Sequence, residues 1–425
     1  MKKYYFLGIG GVSMSALALM LKQRGDFVSG SDERKSRATE ILQQNEIEVD
    51  FSINKKRILE ADIVVASSAI KNDNEQLLFA KQKHKKIWTR GQMLGLISSG
   101  YEKVIAVAGS HGKTTTTAMI YQILSVAGLN PTLHLGGFRL EDKLNFHFGG
   151  KEFFVTEACE YCDNFLNLHS EICVVTNIEK EHMDYFKTFS NQLKSFEKFK
   201  SQSKIVVDDV SDFVAKNIKH DEKGNLKFNL FKNNQKIMSL HLQICEEINT
   251  QNCIFAYKVA KLLNIPDCQI KLGLESFKGV QTRFEKMNCL YFDVVICDYA
   301  HHPTEISKAI KTAKRLFKNK TILTIFQPHT YSRTKSLLNE FLEVFEKEEY
   351  PLFYKTYSAR EKPSDGLSAE KFCEILKKRN KNAKYFENFD DLNTFFKNFD
   401  KNQTVLLFLG AGDLPTILHK NKFIS

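Results

Sequence analysis

The heptapeptide Gly109-Ser110-His111-Gly112-Lys113-Thr114-Thr115 has the residue types and spacing to hold a phosphate. It follows a β-branched run at residues 104–108 and precedes a helical pattern at 113–127. Backbone N–H groups of such a loop, with the positive end of the following helix, bind phosphate oxygens; the Lys supplies a cation, and the first Thr hydroxyl can ligate Mg²⁺. The full phosphate-loop spacing would place a glycine where Val107 stands, and Gly109 is the displaced equivalent, giving a shorter variant. A phosphate-bearing ligand is expected.

A second turn, Gly8-Ile9-Gly10-Gly11, follows the apolar run that opens the chain. It approximates a dinucleotide fingerprint, with Ser13 in place of the third glycine and Asp32 near where a ribose-binding carboxylate is expected. A nicotinamide cofactor, another nucleotide such as a UDP-sugar, or a tight structural turn would each fit this spacing. Glu157 and Glu160 lie just past an apolar run at 153–156, and His182 and Asp184 follow another at 172–177. Acidic and imidazole groups at neighbouring strand ends can converge on a metal beside the phosphate-loop Thr. Asp298, Tyr299, His301 and His302 close a later strand, and His329 with Arg333 closes the next; such groups could grip a carboxylate or an oxyanion.

Strands are expected at residues 4–8, 27–30, 63–66, 104–108, 153–156, 172–177, 294–297, 321–326, 351–354 and 404–409, separated by helical patterns such as 14–21, 113–127 and 306–317. The expected fold class is α/β in three domains: a Rossmann-like domain over 1–100, a central phosphate-loop ATPase-type domain over 101–280, and a Rossmann-like domain over 281–425. The Lys- and Asn-rich stretch at 216–234 reads as a surface excursion. Lys plus Arg exceeds Asp plus Glu by 61 to 50, but only 11 of the 61 are Arg and the lysines are scattered, which favours a solvated surface over nucleic-acid binding. No apolar run reaches 18 residues, so membrane insertion is not expected, and nine cysteines with a single CxxC pair, Cys159 and Cys162, read as reduced thiols of a cytoplasmic protein.

In this order and at this spacing the motifs resemble the Mur ligases. The resemblance rests on Gly8 to Gly11 with Met14-Ser15, Ser31-Asp32, Ser67-Ser68, the 109–115 loop, Thr176-Asn177 with His182-Met183-Asp184, Arg283-Phe284, residues 298–305, residues 326–329 and residues 409–413. It implies a UDP-sugar on the first domain, at Gly8, Gly10, Gly11, Met14, Ser15, Asp32, Ser67 and Ser68, and ATP on the second. It further implies that Gly109, Ser110, His111, Gly112, Lys113, Thr114, Thr115, Asn177 and Asn252 line the ATP site, with Arg283 and Asp298 reaching the nucleotide from the third domain. Mg²⁺ would be held by Thr114, Glu157 and His182, and Tyr299, His301 and Arg333 would face the amino acid or the intermediate. Lys113, His182, His301 and Arg333 are the implied catalytic set. The forms at 299–303 and 326–329 resemble the branch that joins L-alanine to UDP-N-acetylmuramate through an acyl phosphate, acting as a monomer or weak homodimer. Rival readings are a recycling ligase that adds a preformed peptide, a nicotinamide-dependent oxidoreductase using the Gly8 turn, and a nucleotide switch. The chain departs from the family with Gln251 before Asn252, Thr330 where some members carry Arg, and Cys159 in place of an acidic residue.

Overall fold

β-Branched and aromatic runs punctuated by glycine turns form three α/β sheets, each with its strands' carboxyl ends leading into polar loops. The structure, a computed structural model, describes residues 1–359 and 361–424; the side chains of Asp184 and Asp365 lie outside the described set. The first sheet contains β1 (Lys3–Leu7), β2 (Phe27–Ser31), β3 (Glu48–Asp50), β4 (Ile63–Ala66) and β5 (Lys86–Thr89), all parallel in the order β3-β2-β1-β4-β5. Strand order reverses between β1 and β4, so the Gly8 turn stands where open α/β sheets bind ligands.

The second sheet contains β6 (Lys103–Ala108), β7 (Thr132–His134), β8 (Phe146–His147), β9 (Phe153–Glu157), β10 (Ile172–Val175) and β11 (Ile205–Val207), in the order β11-β10-β6-β9-β7-β8. β6 is central, and the phosphate-loop segment leaves its carboxyl end directly into the helix Lys113–Val126. Phe154, Phe165, Phe196 and Phe199 are fully buried beside this sheet, with the Phe165 and Phe199 rings stacked at 4.6 Å. Each such ring contributes about 2 to 3 kcal/mol of burial free energy.

The stretch expected as a surface excursion is instead an antiparallel sheet of β12 (Phe213–His220), β13 (Leu226–Lys232) and β14 (Gln235–His241). Leu226, Phe228 and Leu230 alternate with Lys227 and Asn229, and the apolar set packs with Met238 and Leu240 into the core shared by the helix Asn249–Leu262. The lysine-rich composition masked this period-two pattern.

The third sheet contains β15 (Glu285–Met287), β16 (Val294–Asp298), β17 (Thr321–Phe326), β18 (Tyr350–Tyr354), β19 (Lys384–Phe386) and β20 (Thr404–Leu409), in the order β15-β16-β20-β17-β18-β19, with only β15 antiparallel to its neighbour. The chain forms two compact units. One holds both N-terminal sheets and β12 to β14; the other holds residues 281–425 with the short segments Glu222–Gly224 and Cys245–Ile248.

Candidate active site

Gly109 and Gly112 shape the phosphate loop through the space they leave. Gly109 adopts φ +132°, and a Cβ there would meet the Thr176 hydroxyl at 2.2 Å; Gly112 adopts φ +82°, and a Cβ would meet Asn252 Oδ1 at 2.4 Å. Only glycine satisfies both the left-handed backbone and the close approach. As N-cap, Gly112 brings no side chain to the first N–H groups of the helix Lys113–Val126, which therefore stay open toward a phosphate. Asn177 braces the loop from both sides: its Oδ1 accepts the His111 N–H at 2.9 Å, and its Nδ2 donates to the His111 carbonyl at 3.0 Å. Ser110 is tied to the Glu179 backbone, and His111 Nε2 lies 3.2 Å from the Glu179 carboxylate. Asn252 accepts from Thr116 and donates to Asn249.

Lys113 donates to the Gly109 carbonyl, to the Ser110 carbonyl at 3.2 Å and to Glu160 Oε1 at 3.0 Å. Burial works against the Lys113 ammonium, but Glu160 and Glu181 outweigh it and hold the lysine above its ordinary range. Burial likewise opposes charge on Glu160, and the attraction of Lys113 and then His182 overcomes it, keeping that carboxyl below its ordinary range. Both directions describe one ion pair, stable at neutral pH.

His182 Nε2 stands 3.6 Å from Glu160 Oε1 and 4.0 Å from Glu181 Oε2, and its ring packs on Tyr161 at 4.9 Å. Glu160, Glu181 and His182 each offer a ligand atom, all within 4.8 Å of one another. Glu160 Oε2 is fully buried without a hydrogen-bond partner. A buried carboxylate oxygen left unpaired is costly unless something else satisfies it, so this group fits a divalent cation. Of the expected metal set, His182 lies in this cluster. Thr114 makes no side-chain hydrogen bond to the described residues, and Glu157 Oε1 instead accepts the Gly136 N–H at 2.6 Å. Glu181 carried no signal of its own in the sequence. Thr115 is buried beside Thr114.

At the Gly8 turn, the Gly8 and Ile9 amides donate to the Ser31 carbonyl, and the Gly10 amide donates to Asp32 Oδ2 at 2.8 Å. A Cβ on Gly10 would lie 2.9 Å from that same oxygen. Asp32 therefore pins the turn with the carboxylate expected to reach a ribose. Met14 and Ser15 are buried on the inner face of the helix Val12–Gln23, where they shape the turn from behind. Gly11 is that helix's N-cap, and Ser67, at the end of β4, caps the Ala69 amide while Ser68 is exposed.

In the C-terminal unit, Asp298 accepts the Phe284 amide at 2.7 Å and the Ala300 amide at 2.6 Å. Burial is the main force that pushes its carboxyl up to about 6. Arg283 lies over the Tyr299 ring and 3.8 Å from Glu305, which also faces His301 Nδ1 at 3.3 Å. The His301 and His329 rings are 6.0 Å apart, and Arg333 Nη1 donates to the His329 carbonyl at 2.6 Å. The loop ends of β16 and β17 thus bring Tyr299, His301 and Arg333 into one neighbourhood.

A glycine phosphate loop with a carboxylate-held lysine, an acidic and imidazole cluster beside it, and two further α/β sheets bearing polar strand ends define a nucleotide-dependent enzyme of three α/β domains. The chain matches the Mur ligase family catalytic domain over residues 3–102, the Mur ligase middle domain over 107–246 and the Mur ligase glutamate ligase domain over 282–412. It is 37% identical to the UDP-N-acetylmuramate–L-alanine ligase of Caldicellulosiruptor bescii, covering 98% of each chain. It is 37% identical to the enzyme of that name from Clostridium kluyveri, covering 97% of this chain and 96% of that one. Among solved structures, the UDP-N-acetylmuramate–alanine ligase of Thermotoga maritima superimposes with a TM-score of 0.85 at 25% identity over 99% of each chain. A murein peptide ligase of Psychrobacter arcticus shares the fold, with a TM-score of 0.73 at 20% identity over 99% of this chain and 98% of that one. The chain belongs to the Mur ligase family.

Proposed function

We propose that this chain joins L-alanine to the lactyl carboxylate of UDP-N-acetylmuramate at the expense of ATP, in the cytoplasmic synthesis of a peptidoglycan precursor. The observation that carries the reading is the phosphate loop with Lys113 fixed between its own carbonyls and buried Glu160, on a chain alike over nearly its full length to ligases of that name. A carboxylate oxygen attacks the γ-phosphorus and ADP leaves; the amine then attacks the acyl phosphate carbon and inorganic phosphate departs. Negative charge accumulates on the transferring group, and Lys113 with the open amides of the loop is placed to meet it. Glu160, Glu181 and His182 would hold a divalent cation, with Thr114 facing the same loop, and the ion would neutralise phosphate charge. Asn177 and Asn252 keep the loop's shape. Arg333 supplies the positive charge that an amino acid's carboxylate needs, with His301 beside it as a hydrogen-bonding group. The set of nine thiols without a disulfide among the described residues suits a reducing compartment.

Phosphate release measured with ATP and UDP-N-acetylmuramate, comparing free amino acids with a tripeptide as acceptor, tests the reading. L-Alanine should be the preferred acceptor. Turnover with the tripeptide alone would reassign the chain to peptide recycling, and turnover with neither would sink the ligase reading.

A further inference from the structure

Ser13 replaces the third glycine of the fingerprint, and its hydroxyl is not idle. Ser13 Oγ lies 2.9 Å from His134 Nε2 and 3.1 Å from Arg90 Nη1. On the other side of the imidazole, His134 Nδ1 lies 2.8 Å from Thr156 Oγ1, which donates at 3.0 Å to the Glu157 carbonyl.

These contacts fix every proton. The Glu157 carbonyl can only accept, so the one Thr156 proton goes there and Thr156 Oγ1 must accept from His134 Nδ1–H. Nε2 is then the bare nitrogen and accepts the Ser13 proton, which leaves the Ser13 lone pairs for the Arg90 N–H. The result is one directed chain from Arg90 through Ser13, His134 and Thr156 to the backbone of Glu157. It requires a neutral imidazole. Burial, helped by the Arg90 charge, holds His134 down at about 3 and keeps it in that form at neutral pH.

Arg90 anchors the far end. It begins the helix Arg90–Ser98 immediately after β5, is half-buried, and forms no ion pair with any carboxylate among the described residues. Its charge is also felt at the Cys159 thiol, which senses Glu160 and Lys113 as well. Through Ser13 and His134 the guanidinium is tied to the Gly8 turn on one side and to the carboxyl end of β9, the neighbour of β6, on the other, within one compact unit. A planar cation held there by a single hydrogen bond retains donors suited to a carboxylate. The reaction requires a carboxylate between the sugar-nucleotide turn and the γ-phosphoryl group.

We infer that Arg90 receives the lactyl carboxylate of the sugar nucleotide, and that Ser13 and His134 are positioning residues that hold the guanidinium in line with the strand end bearing Glu157. This rests on the ligase reading above. It adds a specificity element: substrates lacking the lactyl group would gain nothing from Arg90.

Calorimetric titration of the full chain with UDP-N-acetylmuramate and with UDP-N-acetylglucosamine, which has no lactyl carboxylate, separates the possibilities. Arg90→Met should weaken UDP-N-acetylmuramate binding roughly 10- to 100-fold, the loss expected of a hydrogen bond to a charged group, and leave UDP-N-acetylglucosamine unchanged. Ser13→Ala should raise KM for UDP-N-acetylmuramate several-fold without altering KM for ATP, and Ser13→Thr, which keeps the hydroxyl, should restore it. Equal weakening of both nucleotides by Arg90→Met would assign the guanidinium to the diphosphate, and no weakening would remove it from the site; either result overturns the inference. Should Arg90→Met fail to fold, Arg90→Lys, which keeps the charge but loses the fork, must show the same selective loss in smaller measure. A parent protein that binds neither nucleotide would instead refute the underlying ligase reading.

Discussion

Removing one partner of the Lys113–Glu160 pair does more than remove a cation from the phosphate loop. Glu160 is wholly inaccessible to solvent, so Lys113→Ala strands a carboxylate in the interior, which typically costs about 3 to 5 kcal/mol. We expect Lys113→Ala to lose turnover by roughly 10² to 10⁴ and also to lower the thermal transition. Adding Glu160→Gln should recover much of the transition temperature but none of the turnover; recovery of both would place Lys113 outside the chemistry. In the C-terminal unit, burial and the facing Asp298 push the Glu246 carboxyl up to about 8, with Arg283 pulling it back, and Asp298 itself rises to about 6. Both values lie above those of an unfolded chain, so the folded state holds the extra protons and unfolding free energy falls as pH rises through about 4 to 8. A thermal melt followed from pH 5 to 9 should show this decline, and Glu246→Gln should flatten its upper part. Lys113 and the threonine run were legible in the sequence because their chemistry is local. The approach of Glu160 to His182 was legible from their places at neighbouring strand ends, but Glu181 as the third member of the cluster was not: Cys162, Asp163 and His182 adopt φ of +54°, +53° and +57°, and none is a glycine that would have announced a turn.

At the scale of the element, the loop between β6 and its helix is shaped by the neighbour on each side, Thr176 at Gly109 and Asn252 at Gly112. Gly112→Ala must place a Cβ against Asn252 in a left-handed backbone, a strain on the order of 1 to 3 kcal/mol. We expect weaker nucleotide binding by titration with an ATP analogue, and partial recovery when Asn252→Ala is added; parent-like affinity in the single variant would show that the loop is not the nucleotide cradle. The buried parallel strands were readable from sequence as continuous apolar runs, and β6, β10, β16, β17 and β20 all formed where expected. Short edge strands such as β3, β5 and β19 were not, because Glu48, Lys86 and Lys384 belong to stretches whose strand state is imposed by pairing with β2, β4 and β18 rather than by their own pattern.

For the whole molecule, the phosphate loop belongs to one compact unit and His301 with Arg333 to the other, yet carboxylate, γ-phosphoryl group and amine must align within about 3 to 3.5 Å. Substrates are therefore expected to draw the units together, bending near Gly279 to Arg283. Small-angle scattering should give a smaller radius of gyration with a non-hydrolysable ATP analogue and UDP-N-acetylmuramate than without; superimposable curves, with unchanged turnover after cross-linking that segment, would rule closure out. The sheet of β12 to β14 poses a separate problem, because it is the smallest sheet and both its outer strands are edges. Unpaired backbone along an edge is a template for joining another chain. β12 carries exposed Lys216 and Lys219 around an irregular register, Lys219 sits directly opposite Lys227, and β14 presents exposed Lys236. Like charges facing across strands cost stability, and a second copy approaching edge to edge would meet lysine against lysine. The lysines that hid these strands from a reading by composition thus set like charge along the edges through which another chain would have to pair.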